Sequence, residues 1–360
     1  MMKKIFLLHL LSFFFGGALL AQGIIENPDK SLAKNGGRVL ELKEVWRITD
    51  EGSEFYFKYP HSLKITSDGS IFLAEAEQFL KFSPEGKFVK NLYKKGQGPG
   101  EIEREFTYYI YENEIFIEDL NSGRLWRTDL DGNFLGQINL GGKGYRDFIG
   151  VRPDSLVFLK SVWPPLEERT GKLMDILDTV ALVSKDGKPI KDVHTFRLKM
   201  FLAPRAARSW DYSQRALSQD GKWLFGYHGR EYLIEVLDFD KGEIIRRFNR
   251  KYPHVKHLEE TWEADFRKKY NAPRIEFESD VREILLNGDR LWVKTSTKDK
   301  NKGDLFDVFD AEGRFLDSFY LGAGRTLLAA VGDTIFVLEK DPEENLILTK
   351  YIIIRSGEGG

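Results

Sequence analysis

The histidine pair in the sequence His-Val-Lys-His has the spacing best suited to chemistry in this chain of 360 residues. His254 and His257 are three residues apart and come just before Glu259 and Glu260. Imidazole and carboxylate groups at this spacing share one face of a helix and are good ligands for zinc. A metal site needs at least a third ligand, and the sequence places none beside this pair. We therefore predict no metal site and no cofactor.

Nucleophilic catalysis has little support in the sequence. The chain contains no cysteine, which excludes disulfides, thiolate metal sites and cysteine nucleophiles. The histidines are scattered, and no Gly-x-Ser-x-Gly motif presents a serine for a catalytic triad. The 54 Lys and Arg residues are balanced by 56 Asp and Glu residues, so the chain lacks the basic excess typical of nucleic-acid binding. Catalytic residues stay unassigned.

A glycine-rich loop spans the residues 96–100 between Lys95 and Glu101. Such a loop could cradle a phosphate, but this one lacks the Lys-Ser or Lys-Thr pair of a P-loop and opens no convincing helix. The favoured interpretation is a tight crossing between repeated units, with Glu101 accepting hydrogen bonds from the nearby backbone.

Turns that end in glycine divide the chain into repeated β units. Aromatic residues make up 13 % of the chain and there are 33 glycines, which favours an all-β fold with many tight turns. A turn glycine supplies the positive φ of a tight hairpin, and five such turns recur at Gly86, Gly132, Gly187, Gly242 and Gly313.

A short aromatic-rich strand follows a second turn in each unit, and it occurs six times. Strand, turn, strand, loop, strand, turn and strand make one four-stranded antiparallel blade of a β-propeller. The sequence therefore predicts an all-β, six-bladed propeller. The six strands are Ile71–Leu73, Ile115–Ile117, Leu156–Phe158, Trp223–Phe225, Leu291–Val293 and Ile335–Val337.

The last unit has only three strands, and a spare β-rich run stands before the first. We predict that Val39–Thr49 supplies the missing strand and closes the ring, which removes exposed sheet edges. The propeller then spans 39–355 as one domain. Two insertions interrupt it at 163–176 and 252–277, the second with one amphipathic helix around 258–266.

The beginning of the chain has the layout of a secretory signal peptide. Lys3 and Lys4 precede an apolar run from Ile5 to Phe15, and small residues follow up to Gly23. We predict a signal peptide at 1–23, a secreted or periplasmic protein, and no membrane span after cleavage; the alternative is an uncleaved membrane anchor. We expect a flexible segment at 24–38 and a tail at 356–360.

Two segments carry a resemblance to known propellers. The unit from Pro60 to Ala74, continued by Phe82–Gly86, resembles an NHL-type repeat, although Glu75 stands where that family often has Asp. The Gly-Pro-Gly-Glu element at 98–101 looks like that of exported bacterial six-bladed propellers. NHL-type propellers include lyases, lactone hydrolases and protein- or RNA-binding modules, so the resemblance implies the fold without naming a catalytic residue.

Basic side chains stand near the beginnings of several inner strands, on the propeller face that surrounds the central channel. If they converge they form a cationic funnel for an anionic ligand. The alternative is that each pairs with a local acid. Together with residues of neighbouring loops on that face, the candidate ligand-binding residues are His61, Arg104, Asp119, Arg146, Arg208, His228, Arg230 and Arg325.

Three classes of function remain open at this stage. The leading hypothesis is a binding module that presents one face to a protein, peptide or glycan, with the helix near Trp262 as a rim. Trp163, Trp210 and Trp262 either line a groove or anchor the insertions. The rival is a metal-assisted hydrolase or lyase at the channel, and the third is a purely structural surface protein.

Overall fold

Six antiparallel sheets follow one another along the chain and form a closed ring. The computed structural model describes residues 23–103, 105–120, 123–140 and 144–354. The first strand of each sheet lies beside the first strands of the two neighbouring sheets, around a common axis. This arrangement confirms the predicted six-bladed propeller. Apart from Gly23, the predicted signal peptide lies outside the described residues, as does the tail.

Blades 1 and 2 are four-stranded meanders in which each strand pairs antiparallel with the next. Aromatic side chains fill the space between them, and the rings of Phe79 and Tyr108 lie 4.6 Å apart. From the channel outward, the strands are His61–Ile65, Ile71–Glu75, Gln78–Phe82 and Phe88–Asn91 in blade 1, and Phe106–Tyr111, Glu114–Asp119, Arg124–Asp129 and Phe134–Ile138 in blade 2.

Blade 3 carries a longer hairpin and a fifth strand. The insertion predicted at 163–176 contains one 3-10 turn at Leu166–Glu168, but sheet structure resumes already at Lys172. The reason is that the third strand continues past the end of the second and pairs with the fourth as far as Leu202. The strands are Tyr145–Val151, Leu156–Val162, Lys172–Val183, Pro189–Ala203 and Ala206–Ser209.

Blades 4 and 5 each gain a short parallel strand at the outer edge, supplied by the segment before the propeller. These two strands are Ile25–Asn27 on blade 4 and Arg38–Val39 on blade 5. The blades' own strands are Tyr212–Leu217, Trp223–Gly229, Ile234–Asp238 and Glu243–Arg250 in blade 4, and Val281–Asn287, Arg290–Asp299, Gly303–Asp310 and Phe315–Tyr320 in blade 5.

The segment 24–38 therefore differs from the flexible segment that we expected. Asn27 donates hydrogen bonds to the carbonyl oxygens of Asn249 and Gly313, at 2.7 and 2.9 Å, so it bridges blades 4 and 5. Arg38 makes two 2.9 Å bonds to the carboxylate of Asp317. These polar contacts fix the segment along the sheet edges, where it covers backbone groups that would otherwise be unpaired.

Blade 6 is completed from the other end of the chain, as predicted. Leu42–Ile48 is its outermost strand and pairs antiparallel with Leu346–Ile353. The first two strands of this blade are Thr326–Val331 and Thr334–Lys340. The closing strand begins later than Val39, because that residue belongs to the parallel strand on blade 5.

One helix, Thr261–Tyr270, lies in the insertion between blades 4 and 5, which confirms the predicted helical insertion. Glu260 and Glu263 form a capping box at its beginning, and Asn271 ends it with a left-handed φ of 52°. No helix among the described residues is long and apolar enough to cross a membrane.

Candidate functional site

The six inner strands surround a central channel with a cavity volume of about 1200 Å³. Along each inner strand one residue is buried between neighbouring blades, and the residues on either side of it face the channel. Leu63, Tyr108, Phe148, Ile284 and Leu327 are such buried residues. The channel wall is therefore built from two channel-facing positions on each strand.

The first of these positions is polar in every blade, and we call this set the polar ring. Two members are acidic: Glu283 pairs with Lys294 at 3.2 Å, while the pKa of Asp147 is raised by burial and by the nearby carboxylate of Asp178. The polar ring consists of Ser62, Thr107, Gln214, Glu283 and Thr326, which line the cavity, and of Asp147 at the equivalent position of blade 3.

The second position lies two residues further along each strand, about 7 Å from the first. It is apolar or aromatic in five blades and a lysine in blade 1, and we call this set the apolar ring. Its members are Lys64, Tyr109, Ile149, Ala216, Leu285 and Leu328.

Lys64 is the one charged side chain of the apolar ring. Its Nζ lies 5.9 Å from the centre of the Tyr109 ring, and it makes no hydrogen bond or ion pair with the residues that the structure describes. The side chain is open to the channel but enclosed by the blades around it. Desolvation by these walls lowers the pKa of Lys64. An ammonium group without a counter-ion thus faces a partly apolar cavity.

An Arg–Asp pair lies between blades 3 and 4, close to the channel. Arg215 Nη2 is 3.2 Å from Asp178 Oδ2, and both side chains are buried. Ser161 donates a 2.6 Å hydrogen bond to the other oxygen of Asp178, whereas Arg215 Nε has no hydrogen-bond partner within the part of the chain that the structure describes. Burial lowers the pKa of Arg215. Since Asp178 already offsets its charge, Arg215 contributes less free positive charge to the channel than Lys64 does.

Glu118 is a buried carboxyl that sequence reasoning missed. Its Oε2 accepts a 3.0 Å hydrogen bond from the backbone N–H of Phe148 in the next blade. Burial, with a further contribution from the charge of Asp147, raises the pKa of Glu118 to about 7. Nothing in the local pattern of the second strand marks this position, because its burial depends on blade 3.

The candidate residues predicted from the sequence are spread over several surroundings. His61 lines the channel, with Nδ1 2.9 Å from the carbonyl oxygen of Tyr59. Asp119 is fully buried and lies 3.0 Å from Arg124 Nη2. It also accepts a 3.4 Å hydrogen bond from the backbone N–H of Glu103, which fixes the loop before blade 2. Arg104 lies outside the described residues.

The arginine candidates that the structure describes do not converge on the channel, which corrects the predicted cationic funnel. Arg208 pairs with Glu263 of the helix, and Arg325 Nε lies 3.0 Å from Glu339 Oε2. Neither side chain lines the central cavity. The reason is that each arginine has an acid within reach on a neighbouring element, so the interpretation as local pairs holds for both.

Arg146 and Arg230 lie beside tryptophans of the insertions. Arg146 stacks 5.8 Å from the ring centre of Trp163. Arg230 donates a 2.8 Å hydrogen bond to the carbonyl oxygen of Trp210 and another to that of Phe277. It lines a second, shallower cavity of about 420 Å³ next to the helical insertion. These contacts anchor the insertions to the propeller.

His228 is buried instead of exposed at a loop. Its ring stacks on Phe196 at 3.6 Å, and Nδ1 is 3.5 Å from Glu235 Oε2. Burial lowers the pKa of His228 to about 4. A neutral imidazole in this position packs against the neighbouring blade, away from the channel lining.

The histidine pair of the insertion is held by acids. His254 Nδ1 lies 2.9 Å from Asp280, and the two nitrogens of His257 lie 2.8 Å from Glu263 and Glu278. Among the described residues, no group of three or more His, Asp or Glu side chains is placed to hold a metal ion.

The glycine-rich loop has the structural role favoured from the sequence. Glu101 Oε2 accepts a 2.8 Å hydrogen bond from the backbone N–H of Gly98. A Cβ at Gly96 would overlap this carboxylate, and Gly96 has a φ of 155°. The loop therefore leaves no room for a phosphate at its centre.

Comparison with known proteins agrees with this architecture. A family model, DUF5128, described as a 6-bladed beta-propeller, matches residues 50–163. A candidate exported protein from Bacteroides fragilis NCTC 9343 is similar in structure, with 12 % identity, a TM-score of 0.59, and coverage of 92 % of this chain and 100 % of the other. The chain is a six-bladed β-propeller.

A second solved structure has the same fold. It is a member of the DUF4221 family from Bacteroides vulgatus ATCC 8482, with 13 % identity, a TM-score of 0.53, and coverage of 89 % of this chain and 99 % of the other. No curated protein matches this chain. At these identities the likeness shows the fold alone, and the finer resemblance to NHL-type repeats stays a prediction.

Proposed function

We propose that this protein is an exported binding propeller that holds a small anionic ligand in its central channel. The observation that carries the proposal is Lys64 in the apolar ring, which makes no ion pair with the residues that the structure describes. An anion that enters the channel can form a charge-assisted hydrogen bond with this ammonium group, and such a bond is stronger than one between neutral groups. The channel thus favours a negatively charged group at this depth.

The walls around Lys64 add a second requirement. Tyr109, Ile149 and Leu285 offer aromatic and aliphatic surface on three other blades. A ligand that buries apolar atoms there gains roughly 25 cal/mol for each Å² removed from water. We therefore expect an amphipathic ligand with an anionic group and a short apolar body. The cavity of about 1200 Å³ is large enough for a molecule of this kind.

Two observations support export. Residues 1–23 have the layout of a signal peptide. A structural neighbour from Bacteroides fragilis is named as a candidate exported protein. Sequencing of the amino terminus of protein recovered outside the cytoplasm tests this part of the proposal. A terminus within residues 22–24 supports it, and an intact Met1 contradicts it.

Binding in the channel is tested with two fluorescent probes of matched shape. The anionic probe is 8-anilino-1-naphthalenesulfonate, and the uncharged one is N-phenyl-1-naphthylamine. We expect Lys64→Met to lower the affinity for the anionic probe by about tenfold, which corresponds to about 1.4 kcal/mol. The affinity for the uncharged probe should not change. Lys188→Met is the control, because that lysine lies on an exposed turn.

Two outcomes contradict the channel as an anion site. One is equal binding of the anionic probe by wild type and Lys64→Met. The other is an equal loss of affinity for both probes, which would indicate that the substitution changes the shape of the channel and not only its charge. If the anionic probe is also displaced by raised salt in wild type and less so in Lys64→Met, the contribution of the lysine is electrostatic.

The face that carries the helix is a second surface for a protein, peptide or glycan partner. Trp262 is 56 % exposed and Phe277 45 % exposed on the insertion between blades 4 and 5. Exposed aromatic side chains are frequent anchors in interfaces. If Trp262→Ala no longer binds a partner but still binds both fluorescent probes, that partner binds at the helix face. The described residues offer no group of ligands for a metal-assisted hydrolase, and we do not propose one.

A further inference from the structure

Lys64 is an amine as well as a cation, and its surroundings differ from those of Lys294 and Lys340. Lys294 lies 3.2 Å from both Glu283 and Asp304. Lys340 pairs with Glu344 at the rim. Each of these carboxylates stabilises the protonated lysine. Lys64 has no such partner among the described residues, so nothing in the wall holds its proton in place.

We infer that Lys64 is a covalent attachment site for small aldehydes, which enter the central channel and form an imine with its Nζ. The neutral amine attacks the carbonyl carbon, and a C–N bond forms. The carbonyl oxygen leaves as water with the two amine hydrogens, so the step needs no oxidant or reductant. This reaction goes beyond anion binding, since it uses the nitrogen lone pair and needs no negative charge on the ligand.

The wall around Nζ favours the neutral amine and the imine over their charged and hydrated forms. Desolvation lowers the pKa of Lys64, which raises the fraction of nucleophilic amine near neutral pH. Ile149 and Leu328 in the apolar ring add aliphatic surface to the channel wall. Tyr109, whose ring centre lies 5.9 Å from Nζ, has its own pKa raised by burial and therefore stays neutral.

Charged groups elsewhere in the channel wall do not offset the lowering of the Lys64 pKa. Glu283 is engaged by Lys294, and Arg215 by Asp178. Asp147 in the polar ring has a raised pKa, and its position comes about 7 Å before the apolar-ring position on its own strand. His61, on the same strand as Lys64, is three residues away and contacts the carbonyl oxygen of Tyr59. None of these groups forms an ion pair with Nζ.

The test is reductive labelling of the whole mature protein with propionaldehyde and cyanoborohydride near pH 7. Peptide mass mapping gives the initial rate of labelling at every lysine. We expect labelling of Lys64 at least about tenfold faster than that of Lys188, which is exposed and whose pKa is raised by the Asp186 carboxylate. A rate at Lys64 equal to or below the rate at Lys188 would overturn the inference, and this comparison needs no variant.

A bulky aldehyde separates channel chemistry from surface chemistry. Periodate-oxidised dextran is too large for the channel, so it should label Lys188 and spare Lys64. Labelling of both lysines by dextran would contradict the enclosed position of Lys64.

Lys64→Arg separates the inference from the proposed function. Arginine keeps the positive charge, so binding of the anionic probe should persist, whereas no imine forms at this position. Retained probe binding together with slow aldehyde labelling of wild-type Lys64 would leave the anion site standing and reject the covalent site. Fast labelling of wild-type Lys64 with no binding of the anionic probe would support the covalent site and reject the anion site.

Discussion

At the scale of single residues, two buried titratable groups link stability to pH in opposite directions. Glu118 has a pKa raised from 4.5 to about 7, and His228 has a pKa lowered from 6.5 to about 4. Both shifts have burial as their largest cause, because burial disfavours the charged form of either group. Between about pH 4.5 and 6.5, Glu118 is therefore protonated and His228 neutral in the folded state. In the unfolded state Glu118 is ionised and His228 is protonated in this range.

The substitution Glu118→Gln is expected to stabilise the protein at pH 8 and to have little effect at pH 5. Between about pH 4.5 and 7 the folded state keeps a proton on Glu118 that the unfolded state has lost. The free energy of unfolding of the wild type therefore falls as the pH rises through this range. The loss is at most about 3 kcal/mol. Glutamine carries no charge and can still accept the hydrogen bond from Phe148. Melting temperatures at both pH values measure the effect, and equal destabilisation at both would contradict it.

The substitution His228→Leu is expected to reduce the loss of stability in acid. The unfolded state binds a proton on His228 below pH 6.5, and the folded state only below about 4. Wild type therefore loses free energy of unfolding as the pH falls through this window. Loss of the stack on Phe196 lowers stability equally at all pH values. The measured quantity is the difference in melting temperature between pH 7 and pH 4.5, and an unchanged difference would reject the assignment.

At the scale of elements, the residues before blade 1 act in two separate ways. Leu42–Ile48 supplies a whole strand of blade 6. The parallel strands Ile25–Asn27 and Arg38–Val39 cover the outer edges of blades 4 and 5. The first contribution closes the ring between the two ends of the chain, while the second protects edges of sheets that are already complete.

Two truncations should separate closure from edge cover. A chain that begins at Leu40 loses both parallel strands but keeps the closing strand, and we expect a modest fall in melting temperature. A chain that begins at Glu51 also loses Leu42–Ile48, and we expect a much larger fall, because the outer strand of blade 6 is lost together with the apolar contacts of Trp46 and Ile48 in the core between blades 6 and 1. Thermal unfolding followed by circular dichroism compares the two. Equal melting temperatures for both truncations would contradict the closing role.

At the scale of the whole molecule, the channel is a property of six strands that are distant in sequence. Each blade contributes one polar and one apolar-ring position, and the cavity of about 1200 Å³ exists only when the ring is closed. Filling the channel should therefore affect binding without loosening any single blade.

The substitution Ala216→Trp is expected to abolish binding of both fluorescent probes while changing stability by less than about 1 kcal/mol. Ala216 lines the channel in the apolar ring and packs in part against the core between blades 4 and 5, so a larger side chain extends from there into the open channel. Ala216→Ser changes the polarity but hardly the size, and it should keep the binding. Equilibrium denaturation and probe titration measure the two effects. Full binding by Ala216→Trp would place the probes outside the channel.

The fold could be predicted from the amino-acid sequence because the signals for it are local. Turn glycines such as Gly86, whose φ is 81° and which packs under the Trp46 indole, mark hairpins wherever they stand. The aromatic strands and the spare run before blade 1 likewise predicted six blades and their closure. These signals act within one repeat of the chain, so no knowledge of distant contacts was needed.

Which charged side chains are paired depends on contacts that form only in the folded molecule. Arg208 and Arg325 looked suited to an anion, but acids from neighbouring elements take up their charges. Lys64 had no special motif, yet it alone carries charge in the apolar ring. Burial, pairing and pKa depend on side chains that distant segments bring together, and a linear pattern does not record those distances.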